Sequence, residues 1–129
     1  MKSIEEISKG LKWFIVIHMI VCFMFGIFFF FAIEAYTVLF SWPFLDPIVG
    51  RYVGAFFIGL GLTDIFVYRE TEWNRIEYYI ISLILAFIFE CIALTWGIFL
   101  SNTWAVYLNL FISAAFLIGF VYFYMKQRK

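Results

Sequence analysis

Charge is what this sequence has least of. Only 14% of its 129 residues are Asp, Glu, Lys or Arg, against about a quarter in ordinary soluble domains. Nine basic and nine acidic residues balance, so there is no electrostatic footprint for nucleic acid and no such partner is expected. Cysteine is scarce too. Cys22 and Cys91 both lie inside apolar stretches and read as packing residues rather than a disulfide. There is one histidine, His18, and no HExxH, CxxC, P-loop or GxSxG pattern. The sequence therefore gives no basis for a metal site, a cofactor or hydrolytic chemistry, and no catalytic residue is assigned. The chain is expected not to be an enzyme.

Apolar residues fill the space that charge leaves. They make up 66% of the chain, with a mean hydropathy of +1.00, against about 45–50% in soluble domains. A chain this short cannot bury so much apolar surface by folding alone, so lipid is its expected solvent. A membrane-spanning helix needs about 20 largely apolar residues. Such stretches lie at about 11–33, 48–68, 76–98 and 105–125. The first ends in the run Phe28 to Phe31. It is too long for the apolar region of a signal peptide, and no A-x-A-like cleavage site follows it, so it reads as a retained helix. Period-2 alternation is missing and the apolar runs are long and continuous, which excludes a β-barrel. The fold class expected is all-α: an integral-membrane, antiparallel up-down four-helix transmembrane bundle, with residues 1–129 as a single domain.

Segment boundaries carry their own signals. Ser3 and Glu6 form a capping-box pattern, predicting a short interfacial helix before the first span. Asp46-Pro47 reads as the N-cap and first position of the second span, and Asn102 or Thr103 as the cap of the fourth. Residues 41–47, with Trp42, Pro43 and Phe44, read as a turn in the outer interface. Lys2, Lys9 and Lys12 precede the first span, Arg69 and Arg75 join the second to the third, and Lys126, Arg128 and Lys129 follow the fourth. Arg51 is the one basic residue near the opposite ends. By the positive-inside rule this predicts a multi-pass cell-membrane protein with both termini cytoplasmic. Aromatic residues point the same way: Trp13 and Trp73 fall at the inner interface, Trp42, Trp96 and Trp104 at the outer one, and every tyrosine near a predicted end.

Small or polar stripes run along each predicted helix. His18, Cys22 and Gly26 align on the first, Gly50 and Gly54 form a GxxxG pair on the second, and Ala86, Glu90, Ala93 and Gly97 share a face of the third. Ionisable groups at membrane depth cost about 2.5–3.5 kcal/mol each on insertion scales and usually pair inside the bundle. By depth, Arg51 and Glu90 belong to an outer group, and their pairing is the one expected. Glu34 is the rival partner for Arg51, and Asn109 lies at a similar level. His18 and Asp64 form an inner group within reach of each other, with Tyr68, Arg69 and Arg75 as competing partners for Asp64. Either cluster fixes helix order as structural glue, or lines a polar cavity for an ion, proton or small ligand.

The stretch from Trp42 to Trp73 has a recognisable grammar: Trp42-Pro43, Pro47, Arg51, Gly54-Ala55, Gly59, Gly61, Arg69-Glu70 and Trp73. It resembles the central region of small uncharacterised prokaryotic four-span proteins, broadly DoxX-like. The resemblance implies a four-helix membrane bundle and no particular activity. Two functional expectations follow. The first is a non-enzymatic accessory or scaffold protein, partnered by the lipid bilayer and by further copies or a larger membrane complex. The alternative is a small oligomeric transporter or channel using Arg51, Glu90, His18 and Asp64.

Overall fold

The computed structural model describes residues 5–42 and 46–129. Its named elements are all α-helices: α1 (Lys9–Leu39), α2 (Pro47–Arg69), α3 (Trp73–Leu100) and α4 (Trp104–Gln127). All four are long and apolar enough to cross a membrane. Each contains one of the predicted spans.

Local chemistry sets where the helices begin. At α2 the Asp46 carboxylate accepts from the Ile48 and Val49 amides at 2.9 and 3.0 Å, and Pro47 opens the helix, as predicted. At α1 the cap is Ser8, whose hydroxyl accepts from the Leu11 amide at 3.3 Å. Ser3 lies outside the described residues, as do Lys2, Pro43 and Phe44. Glu6, the other half of the predicted capping box, is not helical. The chain there is extended: the Ile7 amide donates to the Thr71 carbonyl at 3.1 Å and the Trp73 amide to the Glu5 carbonyl at 2.9 Å. Thr103 occupies the N-cap position of α4 but makes no capping bond. Asn102 instead accepts from the Tyr107 hydroxyl at 2.6 Å.

α1 outruns its predicted span, continuing from residue 33 to Leu39 through a break at Ala32 (φ −141°, ψ 40°). Neither proline nor glycine causes it. Beyond the break Tyr36 is buried, stacked on Phe40 with ring centroids 4.6 Å apart.

The helices pack as two close pairs, α1 with α2 and α3 with α4, joined through α1 and α4. Small residues make the first seam. A Cβ added at Gly54 would lie 2.5 Å from the Phe30 amide nitrogen and 2.9 Å from the Gly26 carbonyl oxygen, so only glycine allows these backbones to meet. The Phe14 ring fills the notch at Gly119 between α1 and α4. One end of the molecule, here called the base, gathers residues 5–8, the α2–α3 turn and the end of α4. Gln127 clasps it, accepting from the Ser8 amide at 3.1 Å and donating to the Glu6 carbonyl at 2.6 Å. The core is densest near the base, where Leu11, Ile15, Trp73, Ile76, Ile80 and Phe120 are buried. Trp73 is therefore a core residue, 2% exposed, and not an interfacial anchor as the sequence predicted. The extended segment and the α4 end close over it. At the opposite end, Phe40 and Trp104 lie with ring centroids 5.2 Å apart.

Because the atoms that meet a Cβ at Gly54 are backbone, Gly54→Ala is expected to cost about 1–3 kcal/mol through forced separation of α1 and α2. Gly59 has nothing within 4 Å of an added Cβ, so Gly59→Ala is expected to be neutral or slightly stabilising. Thermal unfolding of the two variants in detergent, followed by circular dichroism, checks the contrast. Equal loss in both would refute this account of the seam.

Candidate functional site

His18 and Asp64 meet at the bottom of the interior. The His18 Nδ1 lies 2.7 Å from Asp64 Oδ2, with the two residues 1% and 0% exposed. The Tyr79 hydroxyl donates to Asp64 Oδ1, also at 2.7 Å. Each carboxyl oxygen thus has its own hydrogen-bond partner, one from α1 and one from α3. The imidazole is boxed edge-to-face by Phe87, Phe116 and Phe120, with ring centroids 5.7, 5.1 and 5.3 Å away. All four helices thus converge on His18.

Pairing of His18 with Asp64 follows from their matched depth in the sequence. Tyr68, Arg69 and Arg75 take no part: Arg75 pairs with Glu70 at 3.6 Å and Glu72 at 3.2 Å at the base. Tyr79 is the partner that sequence reasoning missed, having been assigned to the interface with the other tyrosines. A usable signal was present. Tyr79 lies six residues into α3 and Asp64 five before the end of α2, so the two are level across the turn.

His18, Cys22 and Asp64 also form a cluster of metal-ligating types, their donor atoms within 4.8 Å of one another. The arrangement does not fit a preformed chelate. Cys22 Sγ lies 3.5 Å from Nε2 and 3.8 Å from Nδ1. Near-equal distances to both ring nitrogens put the sulfur over the ring or its Cε1 edge, off both lone-pair axes. A metal shared by thiolate and imidazole must lie along one of those axes, and Nδ1 is already engaged by Asp64.

Above this cluster the two helix pairs part. The cleft between them has a volume of about 430 Å³, inside the range of about 300–1,000 Å³ typical of small-molecule sites. It follows α1 from His18 to Thr37, roughly 28 Å of helix rise. Trp42 and the exposed Asp46 line its far end, opposite the base. Its walls are mostly aromatic and aliphatic, with Phe25, Phe29, Phe57, Phe87 and Phe116 among them. Polar groups on the walls come from His18, Tyr36, Thr37, Glu90, Asn109 and Ser113.

The outer charges are arranged differently from the sequence expectation. Arg51 Nη2 pairs with Glu34 Oε1 at 2.8 Å, with side chains 40% and 53% exposed. The expected Arg51–Glu90 pair is not formed. The physical reason is the longer α1: it carries Glu34 up the α1–α2 seam beside Arg51, whereas Glu90 stands on α3 across the cleft. Asn109 does not join Arg51 either. Its amide donates to the Tyr36 hydroxyl at 2.9 Å and the Ala105 carbonyl at 2.8 Å, tying α4 to the kinked end of α1. Glu90 is left on the cleft wall, part-buried, with the Ser113 hydroxyl as its polar neighbour and no salt bridge among the described residues.

Set against protein-family models, curated proteins and solved structures, the chain finds no match in any of the three. The geometry of the site therefore carries the functional reading.

Removing the Asp64 carboxyl leaves two buried polar groups without their partner, so Asp64→Ala is expected to destabilise by about 3–5 kcal/mol. A double-mutant cycle of Asp64→Ala with His18→Ala is expected to show coupling of at least about 1 kcal/mol. Arg51→Ala and Glu90→Gln are expected to be additive, and the exposed Arg51–Glu34 pair to contribute at most about 1 kcal/mol. Unfolding titrations in mixed micelles measure all three. Strong coupling between Arg51 and Glu90 would contradict the arrangement described.

Proposed function

We propose that the four helices cross the cell membrane as one domain, an antiparallel up-down bundle with both termini cytoplasmic. Large apolar side chains on the outer surface support insertion. Phe31, Phe99 and Phe111 are 71%, 86% and 72% exposed, and many others join them. A surface of this kind is stable against lipid tails and not against water. The threading is supported by the base, where residues 5–8, the α2–α3 turn and the end of α4 meet. Lys9, Lys12, Arg69, Arg75, Lys126 and Arg128 lie in these segments or within the helix turns that adjoin them, which is the asymmetry of a cytoplasmic face. The DoxX-like resemblance of the stretch from Trp42 to Trp73 agrees with a bundle of this type and adds no residue roles.

Within that frame we propose a small binding or carrier protein, non-enzymatic, that admits a small molecule into the cleft from the non-cytoplasmic side. The observation that carries this reading is the cleft of about 430 Å³, floored by the His18–Asp64–Tyr79 cluster and reaching the exposed Asp46 at the end away from the base. An accessory or scaffold protein gains stability from a filled interior; open volume forfeits packing. The packed half below His18 has the character expected of a scaffold, and the upper half does not.

The test uses cysteine labelling in proteoliposomes. In a Cys22→Ser/Cys91→Ser background, Val53→Cys on the cleft wall is expected to react with a membrane-impermeant maleimide added from the mouth side. Leu83→Cys, in the core near the base, is expected to stay unreacted from either side. If Val53→Cys proves inert, the cleft is closed in the membrane and the accessory reading takes over.

A further inference from the structure

We propose that the cleft takes a monovalent organic cation: a protonated or quaternary amine on a small apolar or aromatic body, with Glu90 as its counter-charge. This rests on the binding reading above and names the class of guest.

The inference comes from which charges are already satisfied. Arg51 is held by Glu34 at 2.8 Å, and His18 by Asp64 at 2.7 Å. Among the residues that line the cleft, Asp46 at the mouth and Glu90 on the wall are acidic, and none is Lys or Arg. A carboxylate facing an apolar wall is costly, and Glu90 has no salt bridge among the described residues; His18, the group on the same cleft able to carry positive charge, is already paired with Asp64. An anionic guest would meet two acids, and the one basic side chain among the lining residues, His18, is already paired with Asp64. A neutral guest would gain no more than a hydrogen bond from Glu90. A cation gains the attraction of the whole carboxylate charge.

The walls fit the same guest. Phe25, Phe29, Phe57, Phe87 and Phe116 surround the path that Glu90 faces. Aromatic faces attract substituted ammonium ions through the ring quadrupole, most strongly where water is excluded. Neither a hydrated metal ion nor an inorganic cation gains from such walls. Ser113 and Asn109 add neutral polar groups on α4, suited to orienting a guest that carries one charge.

Two sources could offer this chemistry, a soluble amine or the choline headgroup of a lipid. The exposed Asp46 and the part-exposed Thr37 at the mouth place the entrance at the aqueous end of the helices, so the soluble amine is the source proposed.

Equilibrium dialysis of radiolabelled benzyltrimethylammonium against the purified full-length protein in maltoside micelles tests this. Neopentylbenzene, its uncharged carbon isostere, serves as competitor. Saturable binding at one site per chain is expected. Glu90→Gln, which keeps the side chain's shape, is expected to weaken binding at least about tenfold, the scale of one well-placed charge. Glu90→Asp, which keeps the charge, is expected to stay within a few-fold of wild type, and the isostere to compete poorly. Unchanged affinity in Glu90→Gln overturns the proposal, as does an isostere that competes as well as the cation. Added phosphatidylcholine is expected not to compete; competition would overturn the soluble source in favour of the lipid headgroup. Failure is separable from failure of the binding reading. If Val53→Cys is labelled but the cation does not bind, the cleft exists and the guest assignment is wrong; if Val53→Cys is inert, the cleft itself is wrong.

Discussion

Asp64 is the point on which the rest of the interior turns. Its side chain has no contact with solvent, yet each of its oxygens has a hydrogen-bond partner 2.7 Å away. One partner comes from α1 and the other from α3, so a residue of α2 fixes the positions of two other helices. The fourth helix is drawn in by the imidazole, through Phe116 and Phe120. Buried away from water, such a contact has little competition, and breaking it leaves polar groups with nowhere to go. That is a reason for helix order to be set here rather than by the apolar packing around it, which is non-directional.

The cluster also divides the molecule. Below it, Leu11, Ile15, Ile76, Ile80 and Phe120 close the base as a dry core. Above it, the glycine seam holds α1 against α2 while α3 and α4 lean away, and the cleft follows. Tyr36 and Asn109 then rejoin α1 to α4 near the mouth. The break at Ala32 matters for this reason. Beyond it Tyr36 is buried and bonded to Asn109, so α1 and α4 are tied above the cleft as well as at its floor.

How much of this was legible in the sequence differs from residue to residue. The helices themselves were, because apolar runs of spanning length and caps such as Asp46-Pro47 are local signals. His18 with Asp64 was legible because depth along a helix converts directly to position. Arg51 with Glu34 was weighed only as a rival, because the choice depended on where α1 ends, and helix ends are the least certain part of such a reading. The inward turn of Tyr36, Trp73 and Tyr79 was not legible. Their residue types prefer an interface, and which way a ring faces there depends on neighbours that only the packed structure supplies. The cleft was not legible either, since the same stripe of small and polar residues suits a filled seam or a lined cavity.

What distinguishes Glu90 is the treatment of every other ionisable group at comparable depth. His18 has Asp64, Arg51 has Glu34, and neither pair needs a third charge. A chain with only 14% charged residues does not leave an acid on an apolar wall as a matter of packing, because alanine or serine at that position would avoid the cost of about 2.5–3.5 kcal/mol. If Glu90 were structural glue, it would be expected to hold a charged partner, as the four residues of those two pairs do. Its neighbour is instead the Ser113 hydroxyl, a neutral group across the α3–α4 pair. The residue is therefore better understood as half of a pair whose other half arrives from outside the chain. The aromatic walls then limit that arriving half to a cation able to shed its water.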